Sequence, residues 1–114
     1  MGIQRVDEHD PAVVDTLLKG ETPRLIFKHS PTCGYSSMAF TEVSVFADAH
    51  PELPVFLVDV IAQRPLARQL AATLGIRHES PQAILVADSV PLWNASHGGV
   101  TVREIESAFA RASR

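Results

Sequence analysis

Two short runs constrain this chain most. Val55-Phe56-Leu57-Val58-Asp59-Val60 and Gln82-Ala83-Ile84-Leu85-Val86-Ala87 are apolar at nearly every position. A strand with one wet face alternates apolar and polar residues. A strand that is apolar throughout is covered on both faces, as in the centre of a sheet sandwiched between helices. The segments between and around the runs supply those helices. Pro65 opens one, with Leu66, Leu70 and Leu74 on one face and Gly75 just past its end. Arg24–His29 reads as a third strand, broken by Ser30-Pro31-Thr32. From Cys33 or Gly34 to about His50 the spacing predicts a helix that Pro51 ends. Ala39, Val43 and Phe46 form one apolar face, and Met38, Phe40 and Val45 make the other side apolar as well, which predicts a largely buried helix.

The remaining elements follow from local signals. Asp10-Pro11 reads as N-cap and first helical residue and Gly20 as a stop, predicting a short helix over 10–19. Asp88-Ser89 turns the chain into a strand near Pro91–Ser96, giving an antiparallel hairpin. Thr101 and Glu104 form a capping box for a last helix with Val102, Ile105, Phe109 and Ala112 inward. The order is α, β-α-β, α, β-β-α. The β-α-β unit makes parallel strands with a right-handed crossover, and the hairpin adds antiparallel ones. The expected fold is α/β: a thioredoxin-like layout with a mixed four-stranded sheet, helices on both faces and an extra N-terminal helix. At 114 residues, with 46% apolar and 20% charged, the chain suits one domain spanning 1–114.

The chemistry concentrates at Cys33, the one cysteine. It stands where a strand gives way to a helix, beside free backbone N–H groups and the positive end of the helix dipole. Both favour a thiolate, the nucleophilic form of cysteine. Lys28 and His29 lie near in sequence, on opposite faces of their strand. Gly34 leaves room for another molecule to approach the sulfur. In Cys33-Gly34-Tyr35-Ser36, serine occupies the place of a second thiol. With no resolving thiol in the chain, attack on a disulfide halts at a mixed disulfide until a thiol from another molecule resolves it. Ser36 either hydrogen-bonds the sulfur or a backbone group, or is a plain first-turn residue. Further on, Gly75-Ile76-Arg77-His78-Glu79-Ser80-Pro81-Gln82 places a proline directly before a strand. In this fold a cis proline sits beside the reactive cysteine, so the Ser80–Pro81 bond is expected to be cis.

Several segments together resemble the YtxJ-like bacilliredoxin family. They are Phe27-Lys28-His29-Ser30, Cys33 and Ser36, Glu42-Val43, His78-Glu79-Ser80-Pro81-Gln82, and Trp93-Asn94-Ala95-Ser96-His97 with Thr101 after it. The resemblance implies a monothiol protein that removes the low-molecular-weight thiol bacillithiol from protein cysteines. Cys33 would be the nucleophile, and His29, Ser36, Pro81 and His97 match the family's pattern. Bacillithiol would be a co-substrate, and S-thiolated proteins the partners. One residue departs: the family commonly has proline after the reactive cysteine, and here Gly34 stands. Cys-Gly-Tyr-Ser also resembles the Cys-Gly-Phe-Ser of monothiol glutaredoxins, which bridge a 2Fe–2S cluster between two subunits. A third reading is an interaction domain with an unreactive cysteine. Gly34, Tyr35, Ser36, Ser80, Pro81, His97 and His29 are the expected thiol or substrate contacts of Cys33.

The other residues carry less. His97-Gly98-Gly99 could hold a carboxylate or serve as a loop, and His78 and Glu79 are expected on a solvated loop. Asp59 ends a strand, and Arg64 and Arg68 read as a solvated helix face. His9 and His50 read as surface residues. Five scattered histidines and one cysteine lack ligand spacing, so no metal site is expected. The formal charge of −3 has no basic stripe, so neither nucleic acid nor a membrane surface is an expected partner. The first residues carry no apolar export signal, and the expected location is cytoplasmic, with a monomer favoured over a dimer.

Overall fold

A computed structural model describes residues 2–113. Its elements are β1 (Ile3–Arg5), α1 (Val13–Leu18), β2 (Arg24–His29), α2 (Gly34–Ala49), β3 (Val55–Asp59), α3 (Arg64–Leu74), β4 (Gln82–Ala87), β5 (Val90–Ser96), a 3-10 turn (His97–Gly99) and α4 (Val102–Ala112). The strands form one sheet in the order β1-β3-β2-β4-β5. β1 and β2 flank β3 in parallel, and β4 runs antiparallel to β2 and β5.

Alternation along the central strands divides the core in two. Leu25, Phe27, Val55, Leu57, Ala83 and Leu85 pack under α2 and α4. Ile26, Val58, Ile84 and Val86 pack under α1 and α3, against Leu17, Leu66 and Leu70. The apolar runs are therefore buried on both sides.

Local chemistry fixes the joints. Gly75 ends α3 at φ +67°, where a side chain is strained. Asp88 and Ser89 both take positive φ, the backbone of a tight hairpin turn. Arg24 is buried, and its guanidinium donates to the carbonyls of Thr16, Lys19, Gly20 and Thr22 around the end of α1. The Thr101 hydroxyl accepts from the Glu104 amide at 3.2 Å and caps α4. Thr101→Ala is expected to cost about 1 kcal/mol in chemical denaturation, the ordinary worth of an N-cap.

Four expectations are corrected. The sheet has five strands, because Ile3–Arg5 pairs with Val55–Leu57. That strand is three residues long with one apolar side chain, too short to show a period. α1 starts at Val13, since Asp10 and Pro11 form a turn in which the Asp10 carboxylate accepts from the Ala12 amide. α2 buries only one face: Tyr35, Met38 and Val45 are 64%, 68% and 51% exposed. Among the described residues, no neighbouring element covers that side. Finally, His50 is not a plain surface residue. It packs against both Phe46 and Phe109, which also meet edge-on, and bonds Glu106 at 2.7 Å through Nε2.

Candidate active site

The sheet's topology gathers the site at one end. β2 and β3 are parallel, with His29 opposite Asp59, and the Val60 amide donates to the His29 carbonyl. The loops after both strands therefore emerge side by side. β4 runs the other way and begins with Gln82 opposite Lys28. The loop ending in Ser80–Pro81 thus arrives at the same end as the Cys33 loop, and its peptide bond is cis.

Cys33 is the N-cap residue of α2 and is half-buried. Its amide donates to the Ser30 carbonyl at 3.1 Å, closing the turn that Pro31 and Thr32 make. Its own carbonyl accepts from Ser36 and Ser37, starting the helix. Its side chain makes no capping hydrogen bond, so the sulfur is left for chemistry beside the first-turn amides. Gly34 is exposed, and a Cβ there would meet nothing within 4 Å. It leaves the approach to the sulfur open, but the local backbone does not require glycine.

Ser36 is fully buried. Its hydroxyl oxygen accepts from the Ser30 amide at 2.8 Å and lies 2.8 Å from His29 Nδ1. Of the roles open to it from sequence, backbone bonding is the one realised, with His29 as second partner. The His29 ring packs in a three-ring cluster with Phe27 and Phe40, tilted against them at 5.5 and 5.2 Å, and those two rings also touch each other at 6.3 Å. Burial holds its pKa below the usual imidazole value. Asp59 pulls it back up, and Arg5 pushes it down.

The far side of the site is built by the cis-proline loop and the 3-10 turn. The Pro81 carbonyl accepts from the His97 amide at 2.9 Å. His97 takes φ +55°, a backbone uncommon for a non-glycine residue. Its Nε2 lies 3.6 Å from Glu79. The Ser96 hydroxyl and His97 hold the Glu79 carboxylate below its usual pKa. Ser80 flanks this frame, half-buried. Between the frame and α2 runs a groove of about 460 Å³, lined among others by Tyr35, Met38, Ala39, Glu42, His97 and Val100. Tyr35 and His97 therefore share one groove, while half-buried His29 and buried Ser36 form a separate hydrogen-bonded pair.

Two residues were undervalued by sequence reasoning. Glu42 reaches across from α2 and accepts from the Val102 amide at 3.0 Å, so a carboxylate of the chain already fills the start of α4. Lys28, read only as nearby charge, is fully buried on the opposite face from His29, and its Nζ has no partner among the described residues. Burial lowers its pKa to about 8 against the opposing pull of Glu79. Gln82 stands beside it with an unpaired Oε1, and His78, with an unpaired Nδ1, is half-buried and not simply solvated. A lysine following the apolar run Leu25-Ile26-Phe27 within one strand is the signal that could have flagged this cluster. Among the described residues, no group of three or more His, Cys, Asp or Glu side chains is placed to hold a metal, and no helix is long and apolar enough to cross a membrane.

Known proteins share this architecture. A solved structure described as having a thioredoxin fold superposes with a TM-score of 0.82 at 23% identity, covering 94% of this chain and 93% of its own. Malassezia sympodialis thioredoxin superposes at 0.78 with 18% identity, covering 100% and 94%. Thioredoxin f from spinach chloroplast gives 0.75 at 15% identity, covering 99% and 95%. At these identities the likeness establishes a thioredoxin fold. The sequence itself goes further: the family model described as monothiol bacilliredoxin BrxC matches residues 9–105, and this chain belongs to that family.

Proposed function

We propose that this protein is a monothiol oxidoreductase that takes bacillithiol off protein cysteines through Cys33. The observation that carries the reading is the placement of Cys33. It is half-buried at the start of α2, beside the cis-proline loop, with buried Ser36 where a second thiol would stand. Membership of the bacilliredoxin family supports a thiol redox role.

The Cys33 thiolate attacks the sulfur of the small thiol in a mixed disulfide. That S–S bond breaks, the target protein's cysteine leaves as a thiolate, and a new S–S bond joins Cys33 to the small thiol. Two electrons stay within the sulfur pair, so no outside oxidant is needed. Ser36 cannot attack the new disulfide, so Cys33 carries the small thiol until a second thiol from solution or a partner removes it. The groove beside Tyr35 and His97 gives the incoming thiol or the flanking target chain a surface to lie on.

Intact mass after exposure to oxidised bacillithiol, and separately to oxidised glutathione, tests this. One bacillithiol adduct on Cys33, released by added thiol, is expected. A selective glutathione adduct would reassign the small thiol, and no adduct with either would remove the enzymatic reading.

A further inference from the structure

We propose that the start of α3 is a carboxylate-binding subsite, in which Arg64 and Arg68, with His78 and buried Lys28 beside them, hold the acidic tail of the small thiol that Cys33 takes up. The inference rests on Cys33 being the carrier of a small thiol. It adds that this thiol ends in a dicarboxylate, as bacillithiol does in its malate.

The topology brings these residues to the active-site end of the sheet, on the α3 side. β3 ends there, so α3 begins there, and Arg64 is its first residue. Arg68 follows one turn later, and side chains at that spacing share a helix face about 5–6 Å apart. The segment after α3 returns to the same end, because β4 starts there with Gln82 opposite Lys28. The Gln82 side-chain amide donates to the Arg77 carbonyl at 3.0 Å, which ties the loop down next to His78. Lys28 lies two residues beyond Ile26, on the strand face that packs under α3. Burial, and then the fields of Lys28, Arg68 and Arg64, keep the His78 ring neutral.

No carboxylate of the chain neutralises the cluster. Among the described residues, no ion pair joins Arg64, Arg68 or Lys28 to an acidic side chain. Asp59 Oδ1 is taken by the Ile61 and Ala62 amides. Glu79, whose field reaches Lys28, is held by Ser96 and His97. The first turn of α3 has no acidic residue and no side-chain cap. A cation at a helix start opposes the helix dipole, so Arg64 stands where it costs stability, while an anion there is favoured by dipole and guanidinium together. Beneath the arginines, fully buried Lys28 has an unpartnered Nζ, and His78 Nδ1 is unpartnered as well.

These features fit an anion. A carboxylate accepts paired hydrogen bonds from an arginine, and its charge offsets that of the ammonium below. Two exposed arginines one turn apart match two carboxylates, and the neutral His78 ring adds one N–H. β2 and β3 are parallel, with His29 opposite Asp59, so the Cys33 loop and the start of α3 leave the sheet side by side. The groove on the other face carries the Glu42 carboxylate, which disfavours an acidic tail and leaves that groove to the target chain.

The test compares the full chain with the double variant Arg64→Gln/Arg68→Gln. Both positions are exposed and glutamine is a good helix former, so the fold is kept. Intact mass follows the rate at which Cys33 takes up the small thiol from bacillithiol disulfide, and from the same disulfide methylated on its malate carboxylates. At low salt the wild type is expected to react about tenfold faster with the free acid than with the ester, and the ratio in the variant should fall to about one. A wild-type ratio near one, or a variant ratio as high as that of the wild type, overturns the proposal. If neither disulfide gives an adduct, the redox reading fails, and the urea midpoint with and without L-malate at constant ionic strength decides the subsite. A midpoint raised by malate in the wild type and not in the variant upholds the subsite, and a midpoint unmoved in both removes it.

Discussion

Cys33→Ser is expected to abolish removal of the small thiol, lowering the rate by more than about a thousandfold. A serine hydroxyl is a far weaker nucleophile than a thiolate, and it forms no disulfide that could carry the small thiol onward. The chain has no second cysteine to substitute for it. The loss will not come from misfolding. Position 33 is the N-cap of α2, and serine is among the preferred N-cap residues, so its oxygen can accept from a first-turn amide that the sulfur leaves unused. The variant should unfold at the same denaturant concentration as the wild type or a slightly higher one. Mass spectrometry of a thiolated target protein, incubated with each form, reads the activity. Unchanged turnover by the serine variant would remove Cys33 from the mechanism altogether.

Lys28→Met is expected to stabilise the protein near neutral pH by about 1–3 kcal/mol, because an apolar side chain of similar volume removes the cost of burying an unpaired ammonium. Lys28 is fully buried and its Nζ has no hydrogen-bond partner among the described residues. Burial depresses its pKa from 10.5 to about 8, and Glu79 only partly opposes this. That shift corresponds to a cost of roughly 3 kcal/mol when the amine is charged in the folded state. The sign follows from proton counting. Between about pH 8 and pH 10.5 the unfolded chain holds the proton and the folded chain has released it, so wild-type stability rises with pH across that window. Below about pH 8 both states are protonated and the full cost remains. Methionine removes both the cost and the rise. Urea denaturation of the two proteins at neutral and alkaline pH checks this. A methionine variant that is less stable at neutral pH would show that the ammonium has a favourable role in the fold.

Much of the site was visible in the chain itself. Cys33 at a strand-to-helix junction, serine three residues later and proline before a strand are local facts, and local geometry carries them into the structure unchanged. The hairpin turn at Asp88-Ser89 and the caps at Thr101 and Gly75 are legible for the same reason: each depends on a few neighbouring backbone groups. β1 was not legible, because its three residues acquire strand geometry only by pairing with β3. The exposed side of α2 was misread because an apolar residue does not announce whether another element will cover it. Tyr35 and Met38 instead line an open groove.

The sequence by itself determined the layered α/β fold, the placement of the one thiol where a strand gives way to a helix and the absence of a second cysteine, since periodicity, turn chemistry and a cysteine count need no long-range information. Only the tertiary structure decided that Ser36 serves His29 and Ser30, that Glu42 closes the start of α4, and that Lys28 is buried without a partner. Each of these depends on which side chains meet across separate elements, and that is set by strand order and register, which a one-dimensional pattern does not contain.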